Sequence, residues 1–216
     1  LLQMTRYFVG MLGFLLLAAG LGLGLSGGTD PVVAQEPVPQ AKPFTGDIVL
    51  GKADAPVTMI EYASMTCPHC AAFHENVLPA LKQKYIDTGK LKLIFREFPL
   101  DGVALRASMM ARCAGEAKAY PLIDILFKQQ KIWATSQDPI AALSQIAKLG
   151  GMSQSSFETC LADEALMKQL VQSRQDGADK FEIKGTPSFI IDGKTYDGET
   201  DIEDFDAILQ PLLNGA

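Results

Sequence analysis

Metal ligands and positive charge are what this sequence has least of. Its 216 residues include two histidines and four cysteines. A structural zinc site needs four ligands. Cys67, Cys70 and His74 have loosely ligand-like spacing, but the other two cysteines are distant and the other histidine, His69, lies inside the same short stretch. No metal or other cofactor is expected. Haem attachment needs a histidine directly after the second cysteine of a CxxC, and Ala71 stands there. Lys and Arg number 19 against 25 Asp and Glu, a net charge of −6 with no basic patch, which argues against nucleic acid as a partner.

Charge is also missing near the N-terminus. Met4-Thr5-Arg6 carries one positive charge, and Tyr7 to Leu25 carries none. Val32 and Ala34 suit a signal-peptidase site with cleavage after Ala34. About 18 apolar residues can also span a bilayer. Residues 1–34 are therefore read as a signal peptide or, alternatively, a retained membrane anchor. Either places the body of the protein outside the cytoplasm, in a bacterial periplasm, tethered to the inner membrane if the segment is retained as an anchor. Residues 35–46, with Pro37, Pro39 and Pro43, read as an extended linker.

What is present centres on Ser64-Met65-Thr66-Cys67-Pro68-His69-Cys70. Val57 to Ala63 reads as a buried strand. Phe73, Val77, Leu78, Leu81 and Tyr85 repeat at helical spacing after it. Cys67 thus falls at a helix N-cap, with Pro68 at the first helical position, where a missing N–H costs nothing. Backbone N–H groups and the helix dipole then favour a Cys67 thiolate. Cysteines so placed titrate between about 3.5 and 7.5, against about 8.5 for a free thiol. The expectation is an exposed, nucleophilic Cys67 and a more buried, less acidic Cys70. His69, if charged, would favour the thiolate; the bland alternative is a solvated loop histidine. His74 reads as a helix-face residue.

Lys90 to Phe98 reads as a second central strand, parallel to the first because a helix joins them. From Asp101 to about Asp176 the pattern is helical, with Asp138 and Asp163 as caps. Thr186-Pro187 precedes a strand at Ser188–Ile191, Asp192-Gly193 signals a hairpin, and Asp201 caps a last helix.

This order resembles the thioredoxin fold, an α/β frame with an inserted helical subdomain. Cys-Pro-His-Cys together with the insert looks like the DsbA-like branch of bacterial periplasmic thiol–disulfide oxidoreductases. The resemblance divides the chain into a first half at 47–100, a helical insert at 101–176 and a second half at 177–216. It implies Cys67 as nucleophile, Cys70 as its partner, and Pro187 as a cis-proline beside the site. Thr186 before it would offer its backbone to an extended substrate; an ordinary trans turn is the alternative. Glu61 matches a buried acid that relatives keep near the pair, where it would exchange a proton with Cys70; a strand acid reaching solvent is the alternative. Cys113 and Cys160 resemble a second pair found in some relatives. They are expected to form a structural disulfide because thiols close together in an oxidising compartment are normally joined. Two buried free thiols remain the alternative.

The expected activity is a dithiol oxidase, monomeric, that passes its Cys67–Cys70 disulfide to reduced, folding exported proteins. A membrane quinone-linked partner would reoxidise it, as the resemblance implies. Met65 is expected to meet substrate. Two rival readings stay open. A disulfide isomerase or reductase would use the same residues, although the 35–46 stretch is too short for a dimerisation module. A Cu(I)-binding module would use Cys67, Cys70 and His74.

Overall fold

The computed structural model describes residues 43–198 and 201–215. The expected signal peptide or anchor, and residues 35–42 of the linker, lie outside the described residues. The strands are β1 (Ile48–Leu50), β2 (Val57–Ala63), β3 (Leu91–Glu97), β4 (Ser188–Ile191) and β5 (Lys194–Asp197). They form one sheet in the order β1-β3-β2-β4-β5. Only β2 and β3 run parallel, Val57 opposite Leu91 through Ala63 opposite Glu97. In β3, Leu91, Leu93, Phe95 and Glu97 are buried while the residues between are half-buried, as period-two alternation requires.

The helix joining β2 to β3, α1, covers residues 68–86. Alpha-helical turns at Pro68–Ala72 and Leu78–Leu81 alternate with wide π turns at Phe73–Val77 and Lys82–Ile86. Pro79 has no N–H to donate into the ladder. The first wide turn comes just before it, where the Leu78 N–H reaches back to the Phe73 carbonyl. Such turns recur at functional sites, and this one holds His74 inside the protein.

Six helices follow: α2 (Gly102–Cys113), α3 (Glu116–Lys128), α4 (Gln130–Trp133), α5 (Pro139–Leu149), α6 (Gln154–Leu161) and α7 (Glu164–Phe181). The last, α8, is Ile202–Asn214. Asp138, Asp163 and Asp201 accept from first-turn N–H groups, and so do Asp101 and Ser153. Helix α7 runs through residue 176, so the expected division between insert and second half falls inside it. Gly177 of α7 lies against Tyr62 of β2, where a Cβ would come within 2.8 Å of a ring carbon. That contact binds the last insert helix to the central strand.

Two cores result. Met59, Phe73, Leu81, Leu93, Phe189 and Phe205 pack between the sheet, α1 and α8. Met65, Cys70, Phe95, Met110, Phe127 and Trp133 pack between the start of α1, the sheet and the insert. A smaller cluster of Met109, Leu166 and Leu170 surrounds a disulfide between Cys113 and Cys160, whose Cα atoms are 6.1 Å apart. It ties the end of α2 to α6.

The disulfide closes a loop of 47 residues, which in the chain-entropy model stabilises the fold by about 4 kcal/mol. Replacing both Cys113 and Cys160 by Ala should therefore lower the denaturant midpoint by a corresponding amount. Equal midpoints for the variant and the parent protein would show that the bridge contributes nothing.

Candidate active site

The site is built where β2 ends. The chain leaves Ala63, turns through Ser64-Met65-Thr66, and enters α1 with Cys67 as N-cap and Pro68 at the first helical position. The Cys67 N–H donates to the Ser64 carbonyl at 3.1 Å, and the Cys67 carbonyl accepts from Ala71 at 3.2 Å. Strand β4 runs antiparallel to β2 with Ser188 opposite Tyr62. That register carries Thr186 and Pro187 up beside the same turn. The peptide bond between them is cis, and the Cys67 thiol donates to the Thr186 carbonyl at 3.1 Å.

The two sulfurs, both free thiols, differ sharply. The Cys67 thiol is pulled down to about 5, first by the hydrogen bond that the Cys70 thiol gives its sulfur. Burial opposes this, while Thr186 and the backbone N–H groups of Cys70 and His69 assist. The backbone N–H donors of the helix start act in the direction expected from sequence, but less than the Cys70 thiol and less than Thr186. Cys70 has no exposed surface. Burial pushes its thiol far up, and its role as donor to Cys67 and the nearby charges of Cys67 and Glu61 push the same way.

Cys67 is not the exposed residue that its position suggested; only 5% of its surface is accessible. The Thr186 backbone lies on its sulfur, and it packs in the same core cluster as Met65 and Phe127. Met65 is likewise wholly buried, so it supports the turn from beneath rather than meeting substrate. His69 is exposed at the helix start, where its backbone N–H faces Cys67.

Glu61 lies on β2 with no exposed surface, between Phe95 of β3 and Phe189 of β4. Its Oε1 is 2.9 Å from Nε2 of His74. His74 is thus no helix-face residue: the wide first turn of α1 faces it inward, and it is 3% exposed. Its ring stacks on Phe127 at 4.1 Å between centroids and meets Phe73 and Phe95 edge-on. With Nε2 engaged by Glu61, His74 is not joined to the two cysteines as a ligand set. Among the described residues no group of three or more His, Cys, Asp or Glu side chains converges as a metal site.

The insert holds the turn by contacts that sequence reading missed. Buried Gln130 of α4 donates from its amide nitrogen to the carbonyls of Met65 and Cys67, both at 2.9 Å. The Thr66 hydroxyl donates to Asp101 at 2.6 Å, and Asp101 caps α2. The Leu100 N–H donates to the Ser64 hydroxyl at 3.3 Å. Asp101 was findable as a cap before a helical pattern. Gln130 was not, because nothing local distinguishes a buried glutamine from a surface one.

Comparison with known proteins places this geometry. A family described as Thioredoxin matches residues 44–211. A Rickettsia bellii protein with the provisional name protein-disulfide oxidoreductase is 39% identical over 148 residues, covering 68% of this chain and 57% of that one. The chain thus spans little more than half the length of that relative. A Bacillus anthracis protein provisionally named disulfide bond formation protein D is 31% identical over 163 residues, covering 70% of this chain and 72% of that one. The crystal structure of Wolbachia pipientis alpha-DsbA1 superposes with a TM-score of 0.72 at 34% identity, covering 80% of this chain and 94% of that one.

Thiolate absorbance against pH should place Cys67 near 5, and Cys70→Ala should raise that midpoint because the main donor is gone. A midpoint near the free-thiol value of about 8.5 in the parent protein would contradict this geometry. Gln130→Ala, which leaves the Met65 carbonyl without its side-chain donor, should cost about 1–3 kcal/mol in denaturant unfolding.

Proposed function

The chain belongs to the thioredoxin family, in its DsbA-like branch, and we propose that it is an exported thiol–disulfide oxidoreductase working as a dithiol oxidase. One observation carries the reading: a stabilised Cys67 thiolate beside a buried, strongly proton-retaining Cys70. A nucleophile that is comfortable as a thiolate is a good leaving group.

In the reaction, a substrate thiolate attacks the Cys67 sulfur of the Cys67–Cys70 disulfide. The sulfur–sulfur bond breaks, and the Cys70 sulfur departs with the electron pair and takes up one proton. The second substrate thiolate then attacks the substrate sulfur of the mixed disulfide and releases Cys67 as a thiolate. The substrate leaves oxidised by two electrons and the enzyme is reduced by two. Thr186 and Pro187 form the wall beside the Cys67 sulfur, where the Thr186 backbone pairs an extended substrate as an added strand. Glu61 supplies and recovers the Cys70 proton, and His69 adds its N–H to the thiolate cradle.

Export rests on the uncharged N-terminal segment followed by a cleavage-like Val32-Val33-Ala34, and on a disulfide remote from the site. Among the described residues no helix is long and apolar enough to cross a membrane. Substrates are reduced, folding exported proteins. A membrane quinone-linked partner reoxidises the monomeric enzyme, a step that the family resemblance alone supports.

The pH dependence follows with its sign. Cys67 falls from an ordinary value of 9.0 to about 5, so its contribution to the reduced fold is complete above about pH 9 and lost as pH falls through 5. Cys70 is shifted up and opposes folding of the reduced form only once an unfolded thiol would ionise, above the ordinary range. Between pH 5 and 9 the reduced form should thus gain stability relative to the oxidised form as pH rises.

Equilibration with glutathione buffers tests direction and proton count together. An oxidase should sit well above thioredoxin's value of about −270 mV, toward about −120 mV. Its potential should fall by about 30 mV per pH unit near neutrality, because reduction binds one proton for two electrons. A value near thioredoxin's would instead make the protein a reductase. Cys67→Ser should abolish exchange, and Cys70→Ser should accumulate mixed disulfides with substrates. Exchange surviving in Cys67→Ser would remove Cys67 as the nucleophile.

A further inference from the structure

We propose that His74 is the outlet for the Cys70 proton, passing it between Glu61 and a cavity on the α1–α3 face, away from the substrate wall. This rests on the dithiol chemistry proposed above and adds the route by which its proton moves.

Each turnover must deliver one proton to a sulfur that has no exposed surface, and later remove it. Glu61 is an acid whose charge acts on Cys70, but it is itself fully buried and needs a supply. The structure gives it one connection: Oε1 lies 2.9 Å from His74 Nε2, with both side chains at most 1% exposed. The other atom of each group, Oε2 of Glu61 and Nδ1 of His74, has no hydrogen-bond partner. Each member of the pair thus keeps one buried polar atom not engaged by the other.

His74 also lines a cavity of about 440 Å³, together with Glu75, Lys82, Tyr120, Asp124 and Lys128. Neither cysteine, nor Thr186, nor Pro187 belongs to that lining. The ring is pinned by Phe127, Phe73 and Phe95, so it conducts by changing tautomer rather than by turning. When Cys70 loses its proton, Glu61 takes it, Nε2 accepts it from Glu61, and Nδ1 releases it toward the cavity. Reduction runs the same path backward, so protons balance over the cycle. The titratable groups around the pair are Cys70 at the inner end, and Glu75, Lys82, Asp87, Asp124 and Lys128 lining the cavity, with Tyr120 beside Glu61 and Asp124. His74 acts through Glu61 and is a positioning residue. Its effect falls on the rate, since an outlet leaves the end states unchanged.

The test follows reduction of the full-length oxidised protein by a dithiol peptide, with rapid acid quench and thiol alkylation. His74→Ala should slow reduction by about a hundredfold, the low end of what a positioned proton-transfer group contributes. Imidazole, entering through the cavity, should restore the rate, while pyrazole, of the same shape but nearly non-basic, should not. Equal rescue by both would mean that His74 only fills space and would overturn the proposal. Should His74→Ala fail to fold, His74→Gln keeps an amide against Glu61 but cannot carry a proton. It should be slow, with an enlarged solvent isotope effect; a parent-like rate and isotope effect would overturn the proposal. A parent protein that exchanges normally while both variants match it sinks the outlet alone. A parent protein that does not exchange sinks the oxidoreductase reading and the outlet with it.

Discussion

The hydrogen bond that Cys70 gives to the Cys67 sulfur divides the labour of the site. It is the largest influence lowering Cys67 and one of those raising Cys70. The donor must keep its proton to act, and burial with no exposed surface ensures that it does. Two chemically identical side chains three residues apart thereby become one charged group and one neutral group. The rest of the site preserves that inequality: the N-cap geometry adds backbone donors on the Cys67 side only, and Glu61 lies where its charge acts against ionisation of Cys70.

Holding this geometry needs rigidity beyond a strand and a helix. Gln130 and Asp101 fix the turn from the insert side. A second clamp lies at the end of β3, where Arg112 of α2 makes a two-pronged contact with Glu97 at 2.6 and 2.8 Å, both side chains almost wholly buried. The same guanidinium donates to the Phe44 and Gly46 carbonyls at 2.9 and 2.8 Å. A buried pair of this kind contributes little net stability over an apolar substitute, yet removing one partner costs several kcal/mol. Its effect is to fix where α2 sits on the sheet, and hence where Asp101 and the active-site turn sit.

The parts of the fold that were legible share one property: their signals are local. The β2–α1 junction, the Asp138, Asp163 and Asp201 caps, the Asp192-Gly193 hairpin and the alternation in β3 each follow from residues adjacent in sequence. Cys67 and Cys70 were equally plain, because a helix start acts on whatever residue occupies it. The failures are tertiary. Gln130 is 63 residues from the Cys67 carbonyl it holds, and Arg112 is 15 residues from Glu97, so no local pattern signals either contact. His74 was misplaced for a related reason: straight-helix spacing does not anticipate the wide turn before Pro79 that turns it inward. Cys67 and Met65 looked exposed because a loop between a strand and a helix is usually open, and here Thr186 and the insert cover it.

Burial also dictates where protons travel. In the proposed exchange, a mixed disulfide would put a peptide on Cys67, beside the Thr186 backbone. Cys70 has no exposed surface even before that peptide arrives. A proton entering from the substrate side would have to pass through the interface that the exchange needs intact. The Glu61–His74 pair instead adjoins a cavity lined from α1 and α3 that includes neither cysteine, nor Thr186, nor Pro187. On the proposed route, substrate and proton therefore use different surfaces around the same helix start. An acid on the central strand and a histidine one turn beyond the second cysteine are what that separation requires.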